Sequence, residues 1–167
     1  ADGFGGGTTR EQKLEIMRDS RLGTYGVLCL VLSVAARLGI LAALGAQLPP
    51  MAVVFILMAG GAVSRAAMVG LISHLPPARA HGLAASLSPS RLTSLLTYTI
   101  AVAIALAALL AVMAVSSAII AIIAASVATF LLALLALRQI GGHSGDVAGA
   151  AQQIAEISCL LAVVALI

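Results

Sequence analysis

The stretch ALLAVMAVSSAIIAIIAAS, residues 108–126, decides the fold. It sits inside a run of about forty apolar residues, twice the roughly 20 that cross a bilayer core as a helix. Two spans must therefore be folded into that run, and in its middle only Ser116 and Ser117 mark a turn. Outward from there, further apolar runs complete five spans, at residues 26–47, 51–73, 92–115, 117–137 and 147–167. Pro49 and Pro50 separate the first two, ending one helix and starting the next. The expected fold class is all-α: a multi-pass transmembrane helical bundle. Residues 1–167 form a single integral membrane domain, of which residues 1–25 are a cytoplasmic segment with an interfacial helix.

Composition agrees. The chain is 62% hydrophobic and only 9% charged, with a mean hydropathy of +1.16, where soluble domains carry about a quarter charged residues. Such a chain cannot cover its own core with polar surface, so the solvent it fits is the lipid bilayer. Abundant Ala, Gly and Ser suit close helix packing in lipid. The net charge of +3 forms no basic stripe with interleaved aromatics, which excludes a nucleic-acid partner. Cys29 and Cys159 both lie in apolar runs without metal spacing and read as free, buried thiols. Whether copies of the chain form a homo-oligomer is left open. The opening ADGFGGGTTREQ has neither the basic nor the apolar region of a signal peptide and reads as a fragment or an engineered start.

The charges are unevenly spread. Arg10, Lys13, Arg18 and Arg21 precede the first span, Arg79 and Arg91 lie between the second and third, and Arg138 follows the fourth. With five spans these segments fall on one side, which the positive-inside bias makes the cytoplasm. The same segments hold Asp2, Glu11, Glu15, Asp19, Asp146 and all three histidines, whereas the two opposite turns are bare.

Within LEIMRDSRLGTYG, residues 14–26, Glu15, Arg18, Asp19 and Arg21 crowd into seven positions. Thr9 to Asp19 reads as a helix opened by a capping box, Thr9-Arg10-Glu11-Gln12. Glu11, Glu15 and Asp19 then recur on one face. Two readings stay open: carboxylates gathered for a divalent cation, or an interfacial helix whose acids pair with Lys13, Arg18 and Arg21. Gly5 and Gly6 let backbone N–H groups face a phosphate, or serve a flexible tether. In GGHSGD, residues 141–146, Ser144 or Asp146 caps the last span, and His143 is a ligand, an acid/base or a solvated neighbour of the cap. Arg37 lies deep in the first span, as a phosphate clamp or a partner of Glu156, while Arg65 can snorkel. The loop with His74, Arg79, His81, Gly82 and Arg91 is long enough to cover a substrate.

Together, DGFGGG with REQKLEIMRDSRLGTYG, the mid-chain PPARAHGLAASLS and the closing GGHSGDVAGAAQQIAE resemble the cobalamin (5′-phosphate) synthase family, the adenosylcobinamide-GDP ribazoletransferases. Asp2, Gly3, Glu15, Arg18, Asp19, Arg21, Gly23, Gly142, Gly145 and Asp146 match its pattern. Members carry an N-terminal span and an acidic His/Asp stretch before the position of Asp2, which this chain is expected to lack. The resemblance implies a multi-pass inner-membrane enzyme facing the cytoplasm. It would join adenosylcobinamide-GDP to α-ribazole or its 5′-phosphate with release of GMP. Mg²⁺ would be held by Asp2, Glu15 and Asp19, with Arg18, Asp19 and Asp146 catalytic and Arg21, Arg37, Gly5 and Gly6 on phosphate. The rival readings are a CDP-alcohol type phosphotransferase, whose spacing the run after Asp2-Gly3 lacks, and a small-residue transporter, which the nearly bare spans disfavour.

Overall fold

The computed structural model describes residues 1–79 and 90–167. His81 and Gly82, read above as part of the covering loop, lie outside the described residues. Seven helices occur among the described ones: α1 (Asp2–Gly6), α2 (Arg10–Arg18), α3 (Thr24–Gln47), α4 (Pro50–His74), α5 (Arg91–Leu110), α6 (Val115–Ile140) and α7 (Gly145–Leu166). Helices α3 to α7 have 20 to 26 residues and are apolar enough to cross a membrane. The chain is a multi-pass, all-α integral membrane protein.

Local chemistry explains most helix ends. Pro49 is the N-cap of α4 and Pro50 its first residue, where the missing N–H costs nothing. The Ser144 hydroxyl accepts the Val147 N–H and caps α7. Gly141 ends α6 in the left-handed region at φ 75°, the usual task of a glycine one step past a helix. The turn between α5 and α6 departs from expectation. It falls at Ala111–Ala114, and Ser116 and Ser117 already belong to the first turn of α6. The Leu109 carbonyl closes it by accepting the N–H groups of Val112 and Met113, each at 2.9 Å. A turn closed by backbone alone needs no polar residue to mark it.

α4 lies at the centre, packed on α5 and α7. α6 pairs with α7, and α3 rests at the edge against α7. The seams are made of small side chains. Ala151, Ala155, Cys159 and Val163 form a fully buried ridge of α7 at four-residue spacing, and Ala118, Ala121 and Ala125, at steps of three and four, form one on α6. Large residues such as Leu30, Leu38, Phe130 and Leu131 point outward, as they should where lipid is the solvent. Cys159 is buried, but Cys29 is exposed on that outward surface, which corrects the expectation of two buried thiols. A second apolar cluster, built on Leu71, Ala136, Ile140, Val147 and Ala151, seats α1 and α2 through Phe4, Leu14 and Met17. It brings the polar segments together at one end.

Candidate functional site

Three segments meet at that end: residues 1–26, Pro76–Arg79 and Gly141–Asp146. A pair of backbone hydrogen bonds, each 2.8 Å, joins the latter two. His143 N–H donates to the Pro76 carbonyl, and Ala78 N–H to the His143 carbonyl. Between them Gly142 faces the Pro76 carbonyl so closely that a Cβ would collide with backbone. The first segment is tied on by cations. Arg10 donates to the carbonyls of Ile140 (2.9 Å) and Ala78 (3.1 Å). Lys13 donates to the Phe4 carbonyl (2.9 Å) and Gln139 Oε1 (2.8 Å), and Arg79 to the Leu14 carbonyl. Three basic residues thus satisfy carbonyls at helix and loop ends, where cations are favoured. Sequence reading missed these roles, because all but one of the acceptors lie 65 to 130 positions away.

Asp2 is drawn to the start of α3. Its carboxylate accepts the N–H of Gly26 (2.9 Å) and of Gly23 (3.0 Å), and those bonds, Gly26 first, hold its pKa below the usual carboxylate value. A Cβ at either glycine would strike the carboxylate, so both glycines are required for the approach. Gly5 and Gly6, expected in a phosphate loop, are instead part of α1. The Gly5 N–H donates to the Ala1 carbonyl, and a Cβ at Gly5 would meet the ring of Tyr25.

The capping box forms as read: Thr9 and Gln12 satisfy each other's backbone N–H groups. The helix, however, stops at Arg18, and Asp19 is its extended C-cap. Asp19 therefore leaves the face shared by Glu11 and Glu15. Its carboxylate accepts Arg21 N–H (3.0 Å) and Arg21 Nε (2.8 Å), with Nη2 at 2.7 Å. Arg21 accordingly lowers the Asp19 pKa, and Asp19 raises that of Arg21. Glu15, Arg18 and Asp146 are exposed. The expected triple of Asp2, Glu15 and Asp19 is not assembled: among the described residues no three His, Cys, Asp or Glu side chains stand where they could hold a metal ion.

His143 corrects the reading of a solvated histidine. It is 3% exposed, its Nδ1 has no hydrogen-bond partner among the described residues, and burial lowers its pKa. Ser144 beside it reaches Met17 Sδ at 3.8 Å. His74 is apart, its Nδ1 bonded to the Gly70 carbonyl of its own helix.

Arg37 is not at this end. Thirteen residues into α3, roughly 20 Å along its axis, its Nη2 donates to Gln153 Oε1 (2.6 Å) and Glu156 Oε2 (3.1 Å) on α7. The phosphate-clamp expectation for Arg37 gives way to an interhelical ion pair. Arg65 bonds the Gly61 carbonyl one turn back.

A sequence profile described as cobalamin-5-phosphate synthase matches residues 1–164. Proteins named adenosylcobinamide-GDP ribazoletransferase are similar along the same length. The one from Bradyrhizobium diazoefficiens is 44% identical over 163 residues, covering 96% of this chain and 60% of its own. That of Sinorhizobium medicae is 41% identical over 166 residues (96% and 62%), and that of Rhizobium meliloti 44% over 168 (96% and 62%). The chain thus spans about three-fifths of the length of these relatives. No solved structure matches it.

Proposed function

Because the chain belongs to the cobalamin-5-phosphate synthase family, we propose that it carries part or all of an adenosylcobinamide-GDP ribazoletransferase in the inner, cytoplasmic membrane, with its active site facing the cytoplasm. The supporting observation is the convergence of the three polar segments at one end of a bundle whose other end is bare. In the reaction, a ribose hydroxyl that is free in both α-ribazole and its 5′-phosphate forms a bond to the phosphorus attached to cobinamide. The bond from that phosphorus to GMP breaks, and the hydroxyl proton passes to an acceptor. Asp146, exposed in the first turn of α7, is the acceptor we assign.

Arg18 and Arg21 neutralise the diphosphate. Arg21 starts out bound to Asp19, so phosphate oxygens take over its guanidinium and release the Asp19 carboxylate. Guanidinium forks match both partners, which makes the exchange one of like for like. A Mg²⁺ ion draws one or two carboxylates from a protein and the rest of its shell from phosphate and water. Glu15 and the released Asp19 fit that donor set, while Asp2 is engaged by the start of α3. Mg²⁺ would supply further charge neutralisation on the diphosphate. The protein's own part is positioning and electrostatics.

The test is GMP release from adenosylcobinamide-GDP and α-ribazole by the chain in proteoliposomes, beside the B. diazoefficiens relative. Release that needs both substrates supports the reading. Asp19→Asn should then lose most activity and demand more Mg²⁺, with Glu15→Gln a milder case. No release from the chain while the relative is active overturns the reading that it carries all of the enzyme. No loss on Asp19→Asn at the matching position of the relative overturns the site, and normal turnover in Asp19→Asn of the chain removes Asp19 from it.

A further inference from the structure

Between α4, α5 and α6, on the half of the bundle nearer the polar end, lies a slot of about 540 Å³. Along α4 its lining runs from Val63 to Leu75 and along α6 from Ile122 to Leu137, roughly 18 and 22 Å at 1.5 Å per residue. Half of a ~30 Å hydrocarbon core is about 15 Å. The slot therefore has the length of one leaflet.

Its wall asks for no polar ligand. The hydroxyls of Ser126 and Thr129 are spent on carbonyls one turn back in α6, those of Ile122 (2.9 Å) and Ala125 (2.8 Å). Polar groups gather only at the polar end, where His74 closes α4 and Tyr98 faces in from α5. Arg91 lies two turns below Tyr98 on the same stripe of α5, and Arg138 one turn below the lining residue Leu134 on α6. Both arginines are exposed. The three helices framing the slot contain no Asp or Glu at all. An apolar channel reaching through one leaflet, with arginines toward its polar mouth and no acid on the helices that frame it, complements one kind of molecule.

We propose that the slot holds an acyl chain of an anionic phospholipid from the leaflet at the polar end, its phosphate lying between Arg91 and Arg138. The lipid fills the space between α5 and α6, which touch each other little while each packs on other helices. Leu71 and Leu75 line the slot and also belong to the cluster beneath the functional site. Occupancy therefore bears on the Pro76–Arg79 segment that follows.

The experiment uses the whole chain in vesicles doped with phosphatidylglycerol carrying a photoreactive group in its acyl chain. Cross-linked residues are mapped by mass spectrometry. Label should concentrate at Val102, Ile122 and Thr129, at least fivefold over the lipid-facing Leu30 and Leu32 of α3. Unlabelled phosphatidylglycerol should compete, and phosphatidylcholine should not. Ala133→Phe, which fills the slot, should abolish the concentrated label. Arg91→Gln and Arg138→Gln should each weaken the preference for the anionic lipid about fivefold, the ratio that ~1 kcal/mol per cation near an anionic surface corresponds to. Label spread evenly over all outward faces, equal competition by phosphatidylcholine, or chain-to-chain cross-links through the slot in place of lipid would each overturn the proposal.

Discussion

Helices α3 and α7 have similar length and run side by side, yet they are held in opposite ways. Of the 24 residues of α3 only Ile40 and Leu44 are buried, against seven of the 22 in α7. The reason is side-chain size at the seam. Lipid tails are as apolar as leucine, so burial of Leu or Val between helices gains little, and close approach of small residues is what packs. α7 presents Ala151, Ala155 and Cys159 to its neighbours. α3 carries Gly39 and Gly45, but nothing approaches within 4 Å of where their Cβ atoms would be. α3 is instead fixed by polar ties, Asp2 at its first turn and Arg37 to Gln153 and Glu156 midway. One helix is located by packing, the other by hydrogen bonds and charge.

Cutting the midway tie from one side should have the largest effect. Glu156→Leu leaves Arg37 without its countercharge inside the membrane. It should destabilise the docking of α3 by roughly 2–3 kcal/mol, below the ~3–5 kcal/mol of a fully enclosed pair. Thiol labelling of Cys29, already on the outward face of α3, should change little. A cysteine at Leu44, which is buried, should become reactive. The double change Arg37→Met with Glu156→Leu should restore protection to within about 1 kcal/mol, with substrate KM unaltered.

Second in size is a change aimed at packing. Ala155→Leu should overfill the α7 ridge at a cost of about 1–3 kcal/mol, whereas Ala35→Leu on the exposed face of α3 should stay within ~0.5 kcal/mol. Equal costs, measured by unfolding in mixed detergent, would erase the contrast.

Acid should separate the two helices by pH. Burial lowers the His143 pKa next to the start of α7, so the folded state favours the neutral ring. The stability this represents is complete above about pH 6.5 and declines as pH falls from there through the folded value. A melting temperature that drops between pH 6.5 and 5, with the drop absent in His143→Gln, is the expected result. The anchor of α3 responds lower. Amide bonds from Gly26 and Gly23 lower the Asp2 pKa, so its contribution is full above about pH 3.8 and is lost only below, as pH falls through the folded value. Protection of the Gly23 and Gly26 amides, corrected for intrinsic exchange, should be flat from pH 7 to 4 and fall beneath. Asp2→Asn should remove that fall, the smallest effect of the set.

The sequence announces the features whose cause is local. Span number follows from apolar length, the Pro49 boundary from proline's geometry, and the α2 and α7 caps from hydroxyls at the right offsets. The meeting of three segments at one end was legible because charges avoid lipid and spans alternate. What stayed hidden depends on distant partners. For Arg37 the sequence offers Glu156 as a partner, but the choice between that pair and a phosphate clamp, and the added bond to Gln153 116 positions away, emerge only in the fold. Asp2 looks like a metal ligand until Gly23 and Gly26 are seen to admit it. Asp19 leaves its helix for Arg21 two residues on, a local competition that four-residue spacing cannot register. Glu15, Arg18 and Asp146 are exposed, and their chemistry rests on the experiments above.

The central place of α4 has a consequence for how the molecule is made. α4 packs on α5, which follows directly, and on α7, whose first residue comes 71 positions after His74. A ribosome adding ~5–20 residues per second needs on the order of 4 to 14 seconds to cover that distance. Throughout that interval Gly60, which packs on Leu160 of α7, and the Pro76 carbonyl that pairs with His143 wait in the membrane without their partners. The arrival of α7 fills the flank of α4 and closes the polar end together. A ribosome that stalls before α7 therefore leaves the first two polar segments without Gly141–Asp146 and the flank of α4 bare, a state that membrane quality control can recognise.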